Sequence, residues 1–62
     1  MTESDPAERV RNLLLRGDNL LKHGRSEDEA REAFEEARSV AAEAELDERI
    51  RALIERRLEQ LA

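Results

Sequence analysis

Few residues in this 62-residue chain could do chemistry: His23, the pair Glu35–Glu36 and the run Glu27-Asp28-Glu29. A lone imidazole can serve as acid, base or metal ligand, and paired carboxylates divide acid and base roles when their surroundings raise one pKa. The rest of the sequence supplies no such surroundings. There is no Cys and no second His, so a metal site would have to be built from carboxylates alone. No Ser/His/Asp set or glycine-rich phosphate loop is present, and a bundle this small has little room for a concave apolar pocket. His23 therefore reads as a helix-end cation and the carboxylates as a solvated face. The expectation is a non-enzyme with no metal and no cofactor.

Charge narrows the partners. Sixteen acids stand against 11 Lys and Arg, a net charge of −5, and Lys22 is the single lysine. Counterion release onto phosphate needs clustered basic charge, and acids interrupt every basic stretch here. No nucleic acid and no membrane are expected as partners; the remaining partner is protein. The longest aliphatic stretch is Leu13-Leu14-Leu15, against the roughly 20 residues of a membrane span. The acidic N-terminus is unlike a signal peptide, so a cytoplasmic location is expected.

The elements that position these residues are helices. Residues 1–4 are polar and read as frayed. Asp5-Pro6-Ala7-Glu8 combines a capping Asp, Pro at the first helical position and Glu at the capping-box position. Val10, Leu13, Leu14, Gly17, Leu20 and Leu21 then fall on one face, and Gly24 supplies a stop after Lys22 and His23. Ser26 and Glu29 form a second capping box, followed by an inner face of Ala30, Ala33, Phe34, Ala37, Val40, Ala41 and Ala44. Small side chains let a neighbouring helix approach to the short end of the roughly 8–10 Å axial range. The two-residue loop makes these helices antiparallel neighbours.

A third stripe, Leu46, Ile50, Leu53, Ile54 and Leu61, carries no Gly or Pro before it. Its centre lies roughly 140° from the second stripe if ideal helix geometry continues. One straight helix would present two faces, so a break near Glu45–Asp47, capped by Asp47, is expected. The alternative is a long second helix that uses its second face for dimerisation. The fold read from the chain is all-α: an antiparallel hairpin plus a third helix in one domain over 1–62, with helices at about 5–23, 27–45 and 47–61. Pairs at i,i+4, Glu27/Arg31, Arg31/Glu35, Glu45/Arg49 and Asp47/Arg51, are expected to lace the solvated faces.

The spacing of Gly17, Leu20 and Gly24, then Ala30, Phe34 and Ala37, resembles a tetratricopeptide repeat with a C-terminal capping helix. The resemblance covers about residues 10–45 as a repeat and the remainder as a cap. It implies a protein–protein interaction role with a groove lined by the first helix, at Arg11, Leu14, Asp18, Leu21 and Lys22. The family members that grip a terminal carboxylate use Lys and Asn where this chain has Leu14 and Asp18, so that ligand is not implied. Repeat arrays normally need about three units. A single unit is expected to be completed by another chain, as a homo-oligomer with a dimer favoured. Leu15, off the apolar face, is either an ordinary exposed leucine or a partner contact. Arg57, within the third stripe, either snorkels its head to water or pairs across an interface. Two other readings remain open: a small acidic antitoxin-like or anti-activator regulator that tightens on its target, and a docking or dimerisation element of a larger assembly.

Overall fold

The computed structural model describes residues 5–24 and 26–61. The expected fraying of residues 1–4 lies outside the described residues. Three helices make up the fold among them, with no strands: α1 over Pro6–Lys22, α2 over Glu27–Glu43 and α3 over Glu48–Leu61. Each starts where local chemistry satisfies free N–H groups. Ala7 N donates to Asp5 Oδ1 at 3.2 Å, Glu29 N to Ser26 Oγ at 3.3 Å and Arg49 N to Asp47 Oδ1 at 3.1 Å.

The helix ends differ in chemistry but not in geometry. Gly24 follows α1 with φ 70°, and its N–H reaches Leu21 O at 3.1 Å. After α2, Glu45 takes φ 54°. Its N–H donates to Ala42 O at 3.2 Å and that of Leu46 to Ala41 O at 2.9 Å, the two bonds of a Schellman close. Leu46 then packs against the Val10, Ala37, Ala41 and Ile54 cluster, which supplies the apolar contact that favours this ending. The left-handed residue is a glutamate, so composition alone does not announce the turn. The break falls where the change in stripe phase indicated, and the single long helix does not form. Helix α2 ends at Glu43 rather than about residue 45 because Glu45 has left helical geometry.

Helix α2 is central. It packs extensively on both neighbours, and α1 meets α3 through side chains, with Val10 and Ile54 in one buried cluster. Arg9 meets Glu36 and Gly17 meets Phe34, while Arg38 meets Glu55 and Arg31 meets Leu61, so each neighbour runs antiparallel to α2 and α1 and α3 run the same way. Besides Gly17, the buried residues among those described are the hydrophobic Val10, Ala30, Ala33, Phe34, Ala37, Ala41 and Ile54. Four of these seven are alanines, so the core depends on close approach more than on bulk.

Gly17 makes that approach possible. A Cβ built on it would lie 2.3 Å from Phe34 Cε1 and 2.6 Å from Cζ. The ring of Phe34, itself fully buried, occupies the volume the missing side chain leaves. Two expectations fail on the surface. Leu53, counted in the third stripe, is 48% exposed, whereas Ile54 beside it is fully buried. None of the four i,i+4 pairs forms an ion pair among the described residues. Arg31 instead pairs with Asp28 at 3.6 Å and donates through Nη2 to Leu61 O at 3.1 Å. Its two terminal nitrogens thus serve a carboxylate one turn earlier on α2 and a free carbonyl at the negative pole of α3.

Candidate interaction face

The residues expected to meet a partner lie along α1 and at one point of α3. Arg11, Leu15 and Lys22 are exposed; Leu14 and Leu21 are half-buried against the core side of α1. Leu14 packs against the Val10–Ile54 cluster, so most of its surface is already used inside the chain. Asp18 and Arg57, both expected to face outward, face each other. Arg57 Nε donates to Asp18 Oδ1 at 3.1 Å and Nη2 to Oδ2 at 3.0 Å, a fork-to-fork arrangement. These hydrogen bonds hold the guanidinium above its ordinary pKa; partial burial opposes them and the carboxylate charge adds to them. The guanidinium is charged throughout neutral and mildly alkaline solution whether or not it is paired. The contribution is complete below the unfolded value and is lost only as strongly alkaline pH passes the folded one.

This pair bridges the mouth between α1 and α3, whose side chains Val10 and Ile54 also share one buried cluster. One helical turn earlier on each helix, Leu14 and Leu53 lie level with one another, because the helices are parallel and both are four residues before the paired group. Arg11 and Lys22 flank Asp18 at i−7 and i+4 on the α1 side of the mouth. On α3, Glu55 turns the other way to meet Arg38 of α2 at 3.2 Å. The mouth is therefore an apolar and cationic strip whose acid, Asp18, is neutralised within the chain. Spacing offered no route to the pair, since 39 residues separate its members. Its signals were an arginine breaking an apolar stripe and an aspartate beside another.

Leu15 is 55% exposed and sits further round α1, beside a shallow groove lined by Asn12, Arg16, Asn19, Leu20 and His23. Gly17, Leu20, Gly24, Ala30, Phe34 and Ala37, read as packing residues, divide by role. Gly17, Ala30, Phe34 and Ala37 are buried; Leu20 is half-buried at the groove edge and Gly24 forms the exposed turn.

His23 is exposed at the end of α1, and the Glu27-Asp28-Glu29 run and Glu35–Glu36 are exposed along α2. Among the described residues no charged side chain is buried, and no group of three or more His, Cys, Asp or Glu is placed to hold a metal ion. No helix among them is long and apolar enough to cross a membrane. No protein-family model, curated protein or solved structure matches the chain.

Proposed function

We propose that the chain is a non-enzymatic protein–protein interaction module, resembling one tetratricopeptide unit with its cap, that works in the cytoplasm and self-associates. The observation that carries this reading is the coexistence of a thin core with large apolar side chains left outside it. Three of the seven buried hydrophobic residues are larger than alanine, while Leu15 and Leu53 are about half exposed. A chain of this size buries only roughly 60% of the surface its unfolded form exposes, and it has no disulfide to compensate. Covering these leucines with another chain adds burial that the hairpin cannot supply by itself. The Gly17–Phe34 and alanine packing supports the hairpin part of the resemblance, and the undocked outer side of α3 supports its role as a cap.

Sedimentation equilibrium across a wide concentration range tests the proposal. The expected result is mass rising above that of one chain, together with a melting temperature that increases with concentration. Leu15→Glu and Leu53→Glu should each lower the association constant while leaving helicity intact. A single-chain mass at every concentration, with concentration-independent melting, would refute self-association.

A further inference from the structure

Helix α3 is joined to the rest of the molecule by a connection that holds an unfavourable backbone. Residues 44–47 link α2 to α3 and include neither Gly nor Pro. Within them Glu45 takes φ 54°, and it is the one residue other than glycine with a positive φ among those described. The left-handed region crowds the Cβ of an L-residue, and glycine alone enters it freely. Gly24 fills the corresponding place after α1. The chain therefore closes its first turn without strain and its second with it.

Docking of α3 keeps the second turn closed. Ile54 completes the cluster of Val10, Ala37 and Ala41, with Leu46, Ile50 and Leu58 packed around it. Arg57 grips Asp18 of α1, Arg31 of α2 reaches Leu61 O, and Arg38 of α2 meets Glu55. These contacts join the segment from Leu46 onward to the α1–α2 hairpin, and none of them requires segment and hairpin to belong to one chain. The bonds that do are local to the turn: Glu45 N to Ala42 O at 3.2 Å and Leu46 N to Ala41 O at 2.9 Å.

From this we infer that two copies of the chain exchange their third helices. Rotation of Glu45 to a negative φ opens the turn and swings Leu46 and α3 off the hairpin together. The same segment of a second copy then covers that hairpin, while α3 of the first copy covers the hairpin of the second. The occupant is argued from the fold itself: the α3 of a second copy fits this surface residue for residue, as the chain's own α3 does. Exchange remakes the apolar cluster and the three polar links between chains, and it relaxes one strained glutamate in each. It forfeits the turn hydrogen bonds and the entropy of association, so concentration sets the balance. Such a pair is two-fold and closed, and it stops at a dimer. This rests on the self-association reading above and gives it a route that needs no further complementary surface.

Charge reversal across the exchanged contact provides the test. In Asp18→Arg, and equally in Arg57→Asp, positions 18 and 57 carry like charges. In an exchanged pair made of one chain of each, both contacts between these positions join opposite charges. The two variants are unfolded together, refolded and weighed by native mass spectrometry. Mixed dimers should exceed random pairing at least about fivefold, with amide protection in α3 restored toward that of the unaltered chain. Glu45→Gly removes the strain from the closed turn, so its dimer should dissociate at least about tenfold more readily by sedimentation equilibrium. Random pairing or single-chain masses in the mixture, with both variants helical, overturn the exchange. So does an association constant that Glu45→Gly leaves unchanged. If the unaltered chain then still associates, and Leu15→Glu or Leu53→Glu weakens it, self-association stands without exchange. A single-chain mass for the unaltered protein at every concentration refutes both readings together.

Discussion

Helix α2 holds its two neighbours by different means. Against α1 it uses shape: Gly17 gives up a side chain, the Phe34 ring fills the space, and the alanine face brings the backbones together. Against α3 it uses less buried apolar matter. Ile54 is the fully buried residue of that helix, with Ile50, Leu58 and the preceding Leu46 partly covered. Polar links complete the attachment of α3: Arg31 to Leu61 O and Arg38 to Glu55 from α2, and Arg57 to Asp18 of α1. Contacts made by shape tolerate no added atoms. Contacts made by exposed charge tolerate change but add little each, with a median near 0–1 kcal/mol. The hairpin is accordingly the stable unit and α3 the more easily released one.

The largest effect should come from the shape-dependent side. Phe34→Ala should cost about 3–5 kcal/mol, as expected when a buried aromatic is removed, and urea titration should show loss of the whole fold. Ile54→Ala should cost about 2–4 kcal/mol, with amide exchange rising mainly in α3. Equal loss of protection in all three helices would contradict the contrast drawn between the two interfaces.

Gly17→Ala sharpens the comparison because two effects oppose each other. Alanine favours the helix by about 1 kcal/mol over glycine. The new Cβ would meet the Phe34 ring well inside contact distance, and overpacking of this kind costs about 1–3 kcal/mol. Net destabilisation is expected, partly relieved in the Gly17→Ala, Phe34→Leu double variant. A neutral or stabilising Gly17→Ala would mean that the hairpin is looser than its packing indicates.

Smaller effects should appear on the α3 side. A double-mutant cycle with Asp18→Asn and Arg57→Gln should give a coupling of about 1 kcal/mol, modest because both side chains are partly exposed. Glu45→Gly should stabilise by about 0.5–1 kcal/mol, measured as a higher urea midpoint, since glycine adopts the φ of 54° without strain. Destabilisation by Glu45→Gly would show that the glutamate contributes something beyond the turn.

Local signals were legible in the sequence. Asp5, Ser26 and Asp47 cap helices because short polar side chains reach N–H groups two or three residues away. The break after α2 was visible only through the phase of the apolar stripes, since Glu45 occupies a position where glycine is usual. Longer-range features were less visible. Leu53 fits the apolar period of α3, yet it is exposed while Ile54 beside it takes the buried position against Val10, Ala37 and Ala41. Arg31 has acidic neighbours at helical spacing, yet it reaches Leu61 O at the other end of the bundle.

By itself the sequence determined three helices, their starts, their apolar faces and the Gly17–Phe34 approach. Each of these depends on residues within a few turns of one another or on one pair of complementary sizes. The tertiary structure alone decided that Asp18 and Arg57 neutralise each other, that Val10 and Ile54 close one buried cluster, and that Leu53 stays exposed. Those outcomes depend on the angle at which three helices meet, and charge at a surface takes its meaning from what that angle places opposite it.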